Sequence, residues 1–167
     1  DAEFRERVAT KVAHKDWSLF SVHAALSETP QYAAAEFDPD VNRAWVVNLG
    51  YASPAELDDD WRTIRKGGLP DPRPNAAVNS LYDPTDAPEG CATGLLRQFA
   101  PYEINGGGAG EWEVTGRWYG QRCLDAWQRF APNLTDDVVM DWVPFTPADI
   151  ARKMLNMVRG DWMMGEI

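Results

Sequence analysis

Two histidines are the first residues to weigh in this chain of 167, because imidazole changes charge near neutral pH. His23 follows closely on Ser18 and Ser21, and acids are plentiful, so a Ser-His-Asp hydrolase can be drawn on paper. Such a nucleophile sits on a sharp turn between flanking glycines, and neither serine has that setting. His14 stands among charged residues near the end of a surface helix, where a solvated side chain is expected. His23 has two readings: a hydrogen-bonded structural histidine, or a substrate contact if its sheet face lines a cavity.

Asn105-Gly106-Gly107-Gly108-Ala109-Gly110 precedes a helix and invites a phosphate-loop reading. Gly108-Ala109-Gly110 would need a further glycine at 113, where Glu113 stands, and no Lys-Ser or Lys-Thr follows. Glu111 and Glu113 would repel an anion at that helix start, so a flexible loop is the better reading. The acidic run Asp58-Asp59-Asp60 lies near the positive end of a helix dipole, with Arg62, Arg65 and Lys66 toward the other end. That run has a structural role rather than a metal to hold, and no other acids pair in a glycosidase or metal pattern. Cys91 and Cys123 have no metal spacing and read as reduced, buried thiols. Asn79 and Arg97 interrupt apolar strands, and mid-strand polar groups must be paired, solvated or functional.

The net charge of −10 argues against nucleic acid or an anionic membrane as partner, since phosphate needs clustered Lys and Arg. No stretch approaches the roughly 20 apolar residues of a membrane span, and no signal peptide is visible. Eight tryptophans imply a core or a cavity lined by aromatic rings.

The elements that carry these residues follow from periodicity and caps. Phe4, Val8 and Val12 predict a short helix over roughly residues 2 to 13. Trp17 to Leu26 alternates, with Phe20, Val22, Ala24 and Leu26 on one face and Trp17, Leu19, Ser21 and His23 on the other. Apolar bulk on both faces predicts a strand covered on both sides. Arg43 to Leu49 is a second strand. Ser53-Pro54-Ala55-Glu56 starts a helix that Gly67-Gly68 stops. Prolines 70, 72 and 74 keep the next stretch extended. Strands follow at Ala76 to Tyr82 and at Ala92 to Ala100. A long helix carries the stripe Trp112, Tyr119, Cys123, Trp127 and Phe130. Val138, Met140 and Trp142 alternate on a fifth strand, and Thr146-Pro147-Ala148-Asp149 caps a last helix. The order α-β-β-α-β-β-α-β-α, with strands adjacent in sequence, predicts an α+β fold with a mixed, largely antiparallel sheet packed with helices.

Three segments taken together carry a family resemblance. They are Asn79-Ser80-Leu81-Tyr82-Asp83-Pro84-Thr85-Asp86-Ala87-Pro88-Glu89-Gly90, the strand ending Leu96-Arg97-Gln98-Phe99-Ala100-Pro101-Tyr102, and Phe145-Thr146-Pro147-Ala148-Asp149-Ile150 running on to Gly160-Asp161-Trp162-Met163-Met164-Gly165-Glu166. The pattern is similar to the central and late part of FAD-dependent oxidoreductases of the phytoene desaturase-like type, relatives of the flavin amine oxidases. The resemblance implies that residues 1–167 are a substrate-binding domain fragment. The FAD-binding segments before and after it are absent from the chain. FAD would belong to the complete enzyme, and none is expected to be held by this chain alone.

The expected function is the substrate-binding portion of an FAD-dependent dehydrogenase or oxidase. It would transfer hydride from an apolar or amine-bearing small molecule to flavin, in the cytoplasm. The cofactor performs such redox chemistry while the protein supplies orientation and a dry pocket. Alternatives are a non-catalytic small-molecule binding module, or one chain of a cleaved or split flavoenzyme active only with its partner segments. By resemblance, Gly160, Asp161, Trp162, Met163 and Met164 approach the flavin. His23, Asn79, Gln98 and Glu166 are the substrate candidates, and no catalytic acid or base is named. The apolar ending of the sequence predicts that Trp162, Met163, Met164 and Ile167 pack in an oligomer or partner interface, or else are poorly ordered.

Overall fold

A computed structural model describes residues 1–11, 13 and 17–162 of the chain. The elements are α1 (Ala2–Lys11), β1 (Trp17–Leu26), β2 (Val46–Asn48), α2 (Pro54–Arg65), β3 (Asn75–Ala77), β4 (Ala92–Pro101), α3 (Glu111–Phe130), β5 (Val139–Phe145) and α4 (Pro147–Lys153). This is the expected order and an α+β fold. The five strands form one sheet, β2-β3-β4-β1-β5, and every neighbouring pair is antiparallel.

β1 lies between β4 and β5. It pairs along its whole length with β4, from Trp17 opposite Pro101 to Leu26 opposite Ala92. Its other edge takes β5, with Ser21 opposite Phe145 and His23 opposite Val143. Because side chains alternate along a strand, Phe20, Val22, Ala24 and Leu26 share one face with Ala92, Gly94, Leu96, Gln98 and Ala100 of β4. α3 lies across that face. Trp112 stacks on Phe20 with centroids 5.4 Å apart, Tyr119 meets Phe20 edge-on at 5.1 Å, and all three are essentially buried.

Glycine lets the helix approach. A Cβ at Gly120 would come within 2.6 Å of the Trp142 ring, one at Gly116 within 2.8 Å of Thr146 Cγ2, and one at Gly94 within 2.8 Å of Trp127. Interiors pack to crystal-like density, so these absent side chains are filled by neighbouring rings and methyls. Trp127 in turn donates its indole N–H to the Tyr32 hydroxyl at 3.1 Å.

The caps fall where sequence signals place them. Ser53 Oγ accepts from the Glu56 N–H at 3.4 Å, and Glu56 reaches back to the Ala52 N–H at 3.0 Å rather than to Ser53 itself. Gly67, at φ +81°, closes α2. Thr146 and Asp149 form a reciprocal capping box on α4.

Four expectations are corrected. The region Ala76–Tyr82 is a strand only at its start, because Val78 gives its N–H to Trp45 and the chain then winds into a 3-10 turn at Asn79–Leu81. Arg43–Leu49 contributes only three strand residues, since Pro39–Arg43 is itself a 3-10 turn. Phe130, at the end of α3, is exposed rather than part of the buried stripe. Finally, β1 is not covered on both sides. The face bearing Leu19, Ser21, His23 and Ala25 is partly open, and Val143 beside it on β5 is 55% exposed. Among the described residues, Trp61 of α2 packs on Trp17 and Phe99 at one end of that face, and Lys153 of α4 lies over Phe145.

α1 begins as expected, but its Phe4 and Val8 are exposed. Val12 and His14 lie outside the described residues, as do Met163, Met164, Glu166 and Ile167. Trp162 is described and is 39% exposed.

Candidate functional site

The open sheet face carries a groove of about 510 Å³, with β1, β4 and β5 as its floor and the Asn79–Leu81 turn at one side. His23, Asn79, Thr93, Leu95 and Val143 line it, with Asp86 and Asp141 also at its wall. Ala24, Gly94 and Trp142 border it too, but strand parity turns their side chains toward α3. Gly94 lies against Trp127 and the Trp142 ring against Gly120, so they contribute backbone to the groove.

The His23 ring is fixed by its neighbours. Ser21 Oγ lies 3.3 Å from Nε2, and the Phe145 ring meets the imidazole edge-on at 6.3 Å. Partial burial holds the imidazole below its usual pKa of 6.5, so it is neutral at pH 7. A neutral imidazole offers one donor and one acceptor. The Ser21–His23 contact lacks the rest of a hydrolytic site, because Ser21 sits mid-strand and is 9% exposed.

Asn79 is held by Trp45, whose indole N–H donates to Asn79 Oδ1 at 2.9 Å. Indole nitrogen can only donate, so the amide orientation is settled and its Nδ2 faces elsewhere. The turn that carries Asn79 is tied to β4, where Ser80 Oγ accepts from the Thr93 N–H at 3.1 Å.

No protein-family model matches the chain. It is 24% identical over 152 residues to a subunit of limonene dehydrogenase from Castellaniella defragrans. That alignment covers 89% of the chain and 27% of the relative, so the chain spans about a quarter of the relative's length. The chain is therefore similar to part of a dehydrogenase subunit.

The structure brings His23 and Asn79 to one groove, but it does not bring Gln98 there. Gln98 points to the α3 side of β4, is 4% exposed, accepts the Arg73 N–H at 2.8 Å and donates to the Phe99 carbonyl at 3.2 Å. Its polar atoms are occupied in tying the proline-rich linker to the sheet. Gly160 and Asp161 are also remote from the groove. The Gly160 carbonyl accepts from Ser18 Oγ, at the start of β1 on the α3 side, and Asp161 is fully buried there. Five residues of strand, roughly 16 Å, separate Ser18 from His23. The two sets of candidate residues thus occupy opposite faces and opposite ends of β1.

Two further candidates resolve into structure. Arg97 donates through Nε and Nη2 to Asn75 Oδ1, at 3.1 and 2.6 Å, so the mid-strand charge is paired across β3 and β4. Burial pushes the Cys123 thiol up to about 12, which leaves it protonated and inert at neutral pH. Cys91 is half-buried. Among the described residues no three His, Cys, Asp or Glu side chains converge as a metal site. Sequence reasoning missed Thr93, which shares the open face of β4 with Leu95 and Arg97. The period-2 alternation of that strand was the signal that could have found it.

Proposed function

We propose that this chain forms the substrate-facing part of a flavin-dependent dehydrogenase or oxidase that removes hydride from an apolar small molecule. The observation that carries the reading is the similarity to a limonene dehydrogenase subunit over 89% of the chain. Limonene is a hydrocarbon, and a groove floored by a sheet face with Leu95 and Val143 suits such a body.

The glycine-rich stretch before α3 does not suit a flavin pyrophosphate. The glycine-rich stretch enters α3 beside Glu111 and Glu113, and Gly110 at the helix start has an ordinary right-handed conformation. Two carboxylates at a helix N-terminus oppose a bound diphosphate. In this proposal the flavin is held by other polypeptide, in the same protein or in a partner chain. Bound flavin would supply the hydride acceptor. This chain's residues would exclude water along Leu95 and Val143 and orient the substrate from His23 on the open face of the sheet.

The test uses the full-length protein that contains this region, expressed with its neighbouring subunits. Bound flavin is measured by its visible absorbance, followed by anaerobic addition of limonene or a related hydrocarbon. Bleaching of the flavin band supports the proposal, and Leu95→Glu should raise the substrate concentration needed at least tenfold. An assembly that binds no flavin, or whose flavin no apolar compound reduces, sinks it.

A further inference from the structure

Of the seven asparagines in the chain, only Asn105 precedes a glycine. The pair forms the centre of a type I′ turn, in which both central residues take positive φ. Asn105 is at φ +48° and Gly106 at +76°, and the Gly107 N–H closes the turn on the Ile104 carbonyl at 2.8 Å. Two contacts anchor it. Ile104 is buried in the core, and the Asn105 N–H donates at 2.9 Å to the carbonyl of Gly67, the glycine that closes α2. The turn thus ties the end of α2 to the approach of α3, which starts at Glu111.

The side chain of this asparagine is free to react. Asn105 is exposed, and neither its side-chain amide nor the Gly106 N–H has a hydrogen bond among the described residues. Apart from its chain neighbours, nothing lies within 4 Å of where a Gly106 Cβ would stand. Asn42, Asn48, Asn75, Asn79 and Asn133, by contrast, all commit the side-chain amide to hydrogen bonds.

We infer that Asn105 and Gly106 form a self-modification site, with water as the co-reactant. The Gly106 nitrogen, its proton lost to hydroxide, attacks Asn105 Cγ. An N–Cγ bond forms, the Cγ–Nδ2 bond breaks, and ammonia leaves with a proton taken from water. Water then opens the cyclic imide at either carbonyl, giving aspartate or isoaspartate with no change of oxidation state. The turn gates the reaction. In a type I′ turn the first central residue has ψ of roughly +30°, which points the Gly106 nitrogen away from Cγ, so cyclisation waits for the Gly107–Ile104 bond to open. Gly106, Gly107 and Gly108 lose much conformational freedom when ordered, which lowers the cost of opening. Isoaspartate routes the main chain through Cβ and Cγ and lengthens it by a methylene. The Gly107–Ile104 and Asn105–Gly67 bonds then cannot both re-form, so the opening becomes permanent and the entry to α3 loosens.

The test incubates the full-length protein that contains this region in mildly alkaline buffer made with oxygen-18 water, and maps its peptides by mass spectrometry. Aspartate and isoaspartate, each carrying one solvent oxygen, should accumulate at position 105 roughly tenfold faster, or more, than at any other asparagine. A synthetic peptide spanning residues 102–109 lacks the anchors of the turn and should react faster still. Asn105→Gly, which suits φ +48°, should abolish the product and leave the fold intact. Peptides carrying isoaspartate, resolved by retention time, should show faster hydrogen exchange across residues 104–112, while β1 and β4 keep their protection. No product at 105 while the peptide converts, equal rates in protein and peptide, or an isoaspartyl fraction that exchanges as slowly as the parent overturns the inference.

Discussion

Arg73 Nη1 reaches both carboxylate oxygens of Asp60, at 2.9 and 3.0 Å, where the acid is only 7% exposed. The arginine belongs to the proline-rich linker and the acid to α2, so one ion pair clamps the linker between helix and sheet. Arg73 also lies 3.5 Å from Glu56, stacks over Tyr51 and gives its backbone N–H to Gln98. Burial, and next the charge of Asp60, push the Tyr51 hydroxyl up to about 12. Asp60→Ala removes the two-oxygen contact and leaves the half-buried guanidinium with Glu56 alone at 3.5 Å. Removing one partner of such a pair costs about 3 kcal/mol, to be read as a lower denaturant midpoint at unchanged slope. Replacing both residues should cost less than the two single changes summed.

Acid weakens the fold through His23. Its pKa is lowered by burial in the native state, so below pH 6.5 the unfolded chain binds more protons than the folded one. The stability this group contributes is fully present above 6.5 and is lost as pH falls through the lower native value. Denaturation curves taken across that window should show the decline, and His23→Gln should flatten part of it. An identical pH dependence in the variant would contradict the assignment.

Gly94→Ala tests the seat of α3. The new Cβ would stand 2.8 Å from two atoms of the Trp127 ring, and that ring is fully buried and hydrogen-bonded to Tyr32. Overpacking of this kind costs about 2 kcal/mol, visible in thermal denaturation. Gly120→Ala should behave alike, because its clash with Trp142 at 2.6 Å outweighs the gain of about 1 kcal/mol in helix propensity.

Tyr32→Phe removes only a hydroxyl, yet it leaves the Trp127 indole N–H buried without its acceptor. The expected cost is about 1–3 kcal/mol. A near-zero change in chemical denaturation would show that another acceptor takes over.

Thr146→Ala removes the cap of α4, whose hydroxyl accepts from the Asp149 N–H at 3.1 Å. Losing a cap costs about 1 kcal/mol. Hydrogen exchange should accelerate in Pro147–Lys153 while β1 and β4 keep their protection.

Local chemistry was legible wherever one residue's neighbours in sequence are also its partners in space. The alternation of Trp17–Leu26 marked β1 to its end residues. Ser53-Pro54 and Thr146-Pro147 marked two helix starts, because a side-chain cap acts within three residues. His23 was legible as a candidate because period 2 places it opposite Phe20 and Val22. Asn79 was singled out, but in the wrong element, since its turn is closed by the distant Trp45.

Only the tertiary structure decided which face of β1 is covered. Both faces carry apolar side chains, and the choice rests on Gly94, Gly116 and Gly120, whose missing side chains let α3 sink onto the Phe20 face. It also decided the fate of the interior polar groups. Gln98 and Arg97 are adjacent and look equivalent in sequence, yet strand parity sends Gln98 to the linker under α3 and Arg97 to Asn75 on the open side. The same pairing of distant strands assembled the groove, bringing His23, Asn79 and Thr93 together. Sequence spacing encodes contacts within a strand or turn, while contacts between strands depend on a register that forms only when the sheet does.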